Sequence, residues 1–550
     1  MITHTKNSIA VNQIGYPCNG KKIAIFSENH PFHIKDVQSL QIVFSGQVGN
    51  AIHDNNAGKI VYQGDFSSFN TPGKYIIEQN HNTSFPFEIQ ENPYSELLTG
   101  LTKAFYYLRC GTKLSKTYAG CYKHKACHTK KGIVYDKPNL RLDGSGGWHD
   151  AGDYGKYTVA GAKAVCDLLL AYEFFPSFFL KPIPLPETDG RMPDILHECR
   201  YELEWLLKMQ NKDGGGVYHK LTTLQFPSLH TMPEKDVSDL YFSPISGTAT
   251  ASFSAIMAKA YSIYLPFDQS FAERCLLASR HAWNWLEHYP EVPGFKNPPG
   301  IATGEYGDES DTDERYWAAA ELYRATGEST YHDAFKNLAS KPFSKTKLGW
   351  VNVGGYGTIA YLQTNQSLIE TSLYLKLRES FLKEANRLVA ISKVDGYKLS
   401  LEEKDYVWGS NMEVMNHGMT LLFANKLQPN MEYTIYAMEH VHYLLGRNVL
   451  NTSYVTGFGS KQVMNLHHRP SVADKVPTPI PGYVVGGPDR HLSDPTAKDL
   501  LAGRPPAQCF IDHQESYATN EITIYWNSPA VFVVAGVMEI YNTSKKTSNI

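Results

Sequence analysis

The chain has 550 residues, 42% hydrophobic and 19% charged, with 52 basic against 55 acidic side chains and a formal net charge of -3. That is globular composition: it excludes wholesale disorder and leaves no polybasic footprint for nucleic acid or an anionic membrane. The aromatic content, 35 Tyr, 25 Phe and 8 Trp, serves either a large core or a cleft that stacks flat ligands such as sugar rings.

The start, Met1-Ile-Thr-His-Thr-Lys6, has no apolar core and no small-residue cleavage site, so the expected compartment is the cytoplasm, or the outside if a leader was trimmed away. Residues 22–27, 59–63, 74–78 and 84–90 are short, β-branched and aromatic runs separated by turn formers, which predicts a small β-sandwich over residues 1–92. Pro72-Gly73 is a turn signal, because Pro presets φ and Gly accepts a positive one.

From residue 93 to 550 the periodicity becomes helical. Apolar spacing predicts helices at 201–210, 250–264, 316–326, 363–386 and 414–426. The helices do not alternate with strands, which argues against a βαβ fold. The long loops at 290–313 and 466–509 are where function is expected. The apolar runs at 164–180 and 528–541 are broken by charge, Pro or Gly, so no membrane span is predicted. Eight cysteines are too sparse for a disulfide framework. Cys110, Cys121 and Cys127 beside His124 and His128 form a metal-type cluster; the alternative is reduced thiols and surface histidines.

Three segments carry candidate chemistry. In Gly146-Gly-Trp-His-Asp-Ala-Gly-Asp-Tyr-Gly-Lys156, Asp150 and Asp153 form a carboxylate pair that can hold and deprotonate a water, unless Asp153 only caps the next helix. His467 and Arg469, in Ser453-Tyr-Val-Thr-Gly-Phe-Gly-Ser-Lys-Gln-Val-Met-Asn-Leu-His-His-Arg469, are hydrogen-bond donors for sugar hydroxyls, or a structural or metal-binding group. Glu521 opens an apolar segment that should desolvate its carboxyl, raise its pKa and make it a proton donor; a first-turn helical Glu is the bland alternative.

Together these segments resemble glycoside hydrolase family 9, the family of inverting β-1,4-glucanases. Residues 453–469 fit the family's first signature. Residues 510–528 fit its second, with Asp512, Tyr517, Glu521, Thr523, Asn527 and Ser528 in place. Val11-Asn-Gln-Ile-Gly-Tyr-Pro17 resembles the immunoglobulin-like module that precedes many such domains. The resemblance covers nearly the whole chain. It implies a mainly α protein: an (α/α)6 barrel preceded by a small immunoglobulin-like β-sandwich. By resemblance Asp153 is the general base, Asp150 orients the water and Glu521 is the general acid. His467 and Arg469 grip the sugar, and Asp512 and Tyr517 support it. Inversion needs about 6.5–9.5 Å between acid and base to admit the water. The run His513-Gln-Glu-Ser516 and Asp489 depart from the common endoglucanase pattern and touch substrate preference.

One branch of the family holds a structural zinc on a similar Cys, Cys-His and His set, which here is Cys110, Cys127, His128 and His149; Cys121 and His124 compete for the same role. Glu305, Asp308, Asp311 and Asp313 lie near where relatives bind calcium, with Asp308 and Asp313 as the candidate ligands and a solvated acidic loop as the alternative. No catalytic cofactor is expected. The expected activity is endoglucanase or cellodextrinase on β-linked oligosaccharides, by a monomer or weak oligomer without nucleic-acid or membrane partners. The second reading is an exo-β-glucosaminidase on chitosan or chitin oligosaccharides, with Glu515 or Asp489 holding an ammonium group. The third is a carbohydrate-binding protein without turnover.

Overall fold

The structure is a computed structural model that describes residues 6–548; the five residues that carry most of the amino-terminal reading lie outside it. The chain forms two compact units. One joins the residues up to Ala104 with Ala385–His467 and the chain from Pro477; the other joins Phe105–Glu384 with His468–Val476.

In the first unit, ten short strands among the described residues build the β-module: β1 (Lys6–Ile9), β2 (Gly15–Pro17), β3 (Ile23–Phe26), β4 (Phe32–Asp36), β5 (Ile42–Gly46), β6 (Ile52–Asp54), β7 (Lys59–Asp65), β8 (Gly73–Gln79), β9 (Asn82–Ser84) and β10 (Phe87–Gln90). One sheet runs β1-β9-β8-β10-β2 with β4 and β5 branching from β8; the other runs β3-β7-β6. Alternation places Tyr75, Ile77 and Gln79 of β8 inward. There Tyr16, Phe26, Phe32, Ile34, Phe66, Phe87 and Ile89 pack into one core. The predicted strands at 22–27, 59–63 and 74–78 are present, whereas 84–90 is split between β9 and β10. The strands without a sequence signal are short or edge pieces, such as β5, whose Ile42 and Val43 face solvent.

The Val11–Pro17 motif owes its composition to docking. Gly15 has φ 141, and a Cβ there would sit 2.0 Å from Glu88 O, so only glycine lets β2 lie against β10. Asn12 Nδ2 reaches His442 Nδ1 at 3.0 Å, and the Tyr16 ring lies 4.8 Å from the His442 ring. Gln13 donates to Asn451 O and accepts from Lys461 N–H, which braces the turn that opens the 453–469 segment. The β-module therefore positions part of the candidate site from behind.

In the second unit, helices buried on every side alternate with amphipathic ones. Thr158–Phe174, Gly247–Tyr264, Thr312–Thr326 and Gly354–Leu362 are the buried set; Asp194–Met209, Gln269–His288 and Ser329–Ala339 follow the first three. Each of those three buried helices packs on its amphipathic follower and on the next buried helix, an inner and an outer layer. The predicted helix at 363–386 is corrected: Gly354–Leu362 ends before it, a 3-10 turn occupies Gln366–Leu368, and the next helix is Thr371–Val394. Asn365 caps the turn through its side chain and breaks the periodicity. A five-stranded sheet unsignalled in sequence also lies in this unit, β11 (Gly132–Val134), β12 (Lys137–Leu142), β13 (Lys156–Tyr157), β14 (Lys220–Thr222) and β15 (Tyr241–Phe242). Its strands are too short for a periodic signature. Among the described residues no helix is long and apolar enough to cross a membrane.

Candidate active site and metal positions

The strap bearing Asp150 and Asp153 is held by its backbone and by Trp148. Cys110 N–H donates to Gly147 O and His149 N–H to Leu108 O, both at 2.7 Å. Trp148 is buried; its backbone N–H donates to Glu202 at 2.6 Å and its indole to Glu198 at 2.8 Å. Asp153 does not cap the following helix, which begins at Thr158 after Tyr157; instead its Oδ2 accepts the Gly155 N–H at 2.9 Å. Asp150 is 1% exposed, with Oδ2 accepting the Tyr306 hydroxyl at 2.5 Å and Oδ1 buried without a hydrogen-bond partner. Burial pushes its carboxyl well above the usual range; the Tyr306 bond opposes this, and the charges of Asp153 and Glu202 add to it.

Tyr306 carried no sequence signal as a site residue. Its φ is 51, a left-handed conformation that L side chains adopt at a cost. Its loop is clamped: buried His219 Nε2 lies 3.2 and 3.1 Å from Glu305 O and Tyr306 O, and buried Lys220 Nζ donates to Gly304 O at 2.6 Å and to Thr303 Oγ1 at 3.1 Å. Burial lowers Lys220 to about 7. The Tyr306 ring packs against Tyr157 and Trp350 at 4.5 and 4.8 Å.

Arg469 lies in the same unit and is 6% exposed. Its backbone N–H and Nη1 both donate to Gly152 O, at 3.0 and 2.8 Å, and its Nε donates to Pro227 O at 2.9 Å. One nitrogen of its fork, Nη1, thus holds the peptide between the two aspartates, while Nε holds the 227 turn.

The other unit holds Glu521, His467, Asp512 and Tyr517. Glu521 is half-buried and extended, following the short helix Tyr517–Asn520, and precedes the helix Ile524–Ser548 instead of lying in its first turn. Its backbone pairs with His467 in a parallel bridge, supported by His467 N–H to Asn520 O at 3.0 Å and Gly486 N–H to Glu521 O at 3.0 Å. His467 Nδ1 lies 2.7 Å from Gln514 O, which fixes the Nδ1–H tautomer. Asp512 accepts the N–H groups of Met464 and Asn465 and the Asn520 amide at 2.8–2.9 Å, a brace between the two signatures. Tyr517 lies 5.8 Å from the His467 ring and 5.3 Å from Trp408, which is 45% exposed. Sequence reasoning passed over Trp408 as a site residue. Asp489 is fully buried and accepts the N–H groups of His491 and Ser493, so it offers no oxygen to an ammonium ligand; Glu515 is exposed.

The ligand atoms of Cys110, Cys127, His128 and His149 lie within 4.8 Å of one another. Cys121 is exposed and the His124 ring nitrogen lies 2.7 Å from Lys125 O, so neither joins the group. His128 Nε2 lies 3.4 Å from Asp236 Oδ2 while its Nδ1 is buried without a partner, the arrangement of an imidazole that ligates through one nitrogen and is oriented through the other. Two thiols and two imidazoles at this spacing fit tetrahedral zinc.

The acidic loop separates. Glu305 accepts Asn297 N–H and Asp311 pairs with Arg315, whereas Asp308 and Asp313 influence each other and a third carboxylate, Glu314. Glu314 is 1% exposed and both its oxygens are buried without a donor. Burial and the charges of Asp313 and Asp308 push it well up, and Asp308 is raised to about 6. Among the described residues the ligand atoms that come together as a metal-type group are those of Cys110, Cys127, His128 and His149, and the carboxylates of this loop do not form a second such group. The one signal for Glu314 in sequence was an acid opening the otherwise buried run 316–323.

Comparison with known proteins follows the same lines. A family model described as glycosyl hydrolase family 9 matches residues 94–534, and one described as a cellulase N-terminal ig-like domain matches 4–84. The chain is 39% identical to a cellodextrinase of Butyrivibrio fibrisolvens, covering 96% of this chain and 100% of that one. A thermostable endoglucanase of Alicyclobacillus acidocaldarius superposes with TM-score 0.92 at 41% identity, over 97% of this chain and 100% of that one. A Zn-binding triple mutant of a family 9 endoglucanase superposes with TM-score 0.90 at 31% identity, over 95% and 99%. The fold class is the expected one, a mainly helical barrel-type catalytic domain behind an immunoglobulin-like module.

Proposed function

The chain belongs to glycosyl hydrolase family 9 and is a glycoside hydrolase, and from that premise we propose that it cleaves β-1,4-glucosidic bonds of cellodextrins and soluble glucan chains with inversion. The observation that carries the mechanism is the contrast between two neighbouring carboxyls. Asp150 is enclosed and held by Tyr306, whereas Asp153 is anchored on Gly155 by one oxygen. In this reading Asp150 orients the water, and Asp153 takes its proton as the water oxygen attacks the anomeric carbon. Glu521 gives its proton to the departing glycosidic oxygen, and both carboxyls exchange protons with solvent before the next turnover. His467 contacts the sugar through Nε2, and Tyr517 with Trp408 forms an aromatic wall. Arg469 and Asp512 act mainly by bracing, which their hydrogen bonds to backbone support.

Zinc would be held by Cys110, Cys127, His128 and His149; calcium, expected on Asp308 and Asp313, would need those carboxylates to draw together around it. When bound, each supplies structural cross-linking and charge balance, and the residues of the site carry out the chemistry. The domain division at 92/93, a monomer or weak oligomer, and a cytoplasmic compartment where eight thiols stay reduced complete the proposal.

The test is anomer-resolved NMR of products from cellotetraose and from chitosan tetraose. Initial α-anomer from cellotetraose is expected. Cleavage of the glucosamine tetramer alone would replace this reading with the exo-glucosaminidase, a reading that buried Asp489 disfavours. Glu521→Gln is expected to lose activity by about 10²–10⁴ while still binding the oligomer; undiminished turnover would remove Glu521 as the acid.

A further inference from the structure

Three ties hold residues 223–231 beside the strap that carries the aspartates. Leu224 O accepts the Ala302 N–H at 2.8 Å, Pro227 O accepts Arg469 Nε at 2.9 Å, and Thr231 O accepts the Tyr154 hydroxyl at 2.6 Å. Arg469 also grips Gly152 O, so one buried guanidinium links the 227 turn to the peptide between Asp150 and Asp153. Ala302 in turn lies in the loop that leads to Tyr306. The segment is therefore fixed to both halves of the water-handling machinery.

On this tethered segment Phe226 turns outward. It is 46% exposed, with Arg469 Cζ 5.6 Å from its ring centroid, and Leu224 beside it is 36% exposed. A single exposed apolar side chain is ordinary. This one is set apart by its place, on a loop whose ties all lead to residues around Asp150 and Asp153. A pyranose ring in a β-1,4-glucan presents flat C–H faces that pack on aromatic rings. A platform whose loop is already ordered loses little entropy when a ligand covers it.

We propose that Phe226 is a stacking platform for a glucosyl unit of the substrate other than the one at the cleavage position, on the wall that carries Asp150 and Asp153. The inference rests on the β-1,4-glucan reading and adds a binding position to it. Leu224 extends the apolar surface along the same edge.

The experiment compares kcat and KM on cellotriose to cellohexaose for the wild type, Phe226→Ala and Phe226→Trp. In Phe226→Ala the ratio of variant to wild-type KM is expected to climb with chain length, to about tenfold at the hexaose. Phe226→Trp restores the wild-type ladder. A ratio that is the same at every length, whether unity or not, overturns the platform, because Phe226 would then be idle or act through Arg469. Failure of the wild type to cleave any cello-oligosaccharide overturns the glucan reading and the platform with it, an outcome distinct from a flat ratio. Circular dichroism and melting temperature of each variant check that the exposed substitution leaves the fold intact.

Discussion

Tyr306 shows how one side chain can set the state of another. Its hydroxyl donates to buried Asp150, and its loop is held in place by hydrogen bonds from His219 and Lys220. Removing only that hydroxyl, in Tyr306→Phe, should withdraw about 1.5–3 kcal/mol from the charged form of the site. A fall in kcat of roughly ten- to a hundredfold, larger than the change in KM, is expected in steady-state assays on cellotetraose. A change confined to KM would place Tyr306 in sugar binding instead. Asp150, Asp153 and Glu521 are proposed from residue type and signature spacing. Tyr306, Trp408 and Glu314 were not singled out, because an isolated Tyr, Trp or Glu has no pattern until the fold shows what it faces.

At the scale of elements, the junction between β6 and the turn after the helix Thr371–Val394 holds two carboxyls of the same unit. Asp54 caps the Ala57 N–H, and Asp395 accepts the N–H groups of Tyr397 and Leu399. Gln63 of β7 donates to Asp395 O and Gly396 O across this junction. Burial, with the Asp54 charge adding, raises Asp395 to about 7, and burial raises Asp54 as well. The folded state thus keeps a proton that the unfolded chain releases near pH 4. Its contribution to stability is full below about pH 4 and is lost as pH rises through about 7. Asp395→Asn, which keeps a carbonyl for the two N–H groups, should flatten the dependence of the urea midpoint between pH 4 and 8 and raise it at pH 8. An unchanged slope would assign the pH dependence to other groups. Strand and helix types were readable here from period 2 and period 3.6. The helix end near 363 was not, because it is set by a single side-chain cap at Asn365, and the pairing of Asp54 with Asp395 was not, because it joins residues hundreds of positions apart.

Across the molecule, the Cys110, Cys127, His128 and His149 group brings the segment 110–128 against the strap before Asp150. About one zinc per chain is expected by elemental analysis, and its removal should lower the melting temperature by several degrees, because a cation bound only by the folded state stabilises it. Asp236→Asn should weaken zinc about ten- to a hundredfold by freeing the His128 ring. Full retention of metal by Cys127→Ser would exclude this set. The competition with Cys121 and His124 was open in sequence, where spacing alone favours whichever donors lie near; in the fold Cys121 is exposed and the His124 ring nitrogen lies at a carbonyl, while the other four donors come together.

By itself the sequence determined what local chemistry can encode. It carried the family, through two long signatures, the change from β to helical texture near residue 92, and the residue types able to donate and accept a proton. Tertiary structure alone decided how those residues are used. It committed Arg469 and Asp512 to backbone, buried Asp489, held Asp150 on Tyr306 and left Phe226 facing water on a tethered loop. The reason is physical: residue type sets what a group can do, but burial, partner and orientation come from segments distant in the chain, and these fix its protonation and its reach.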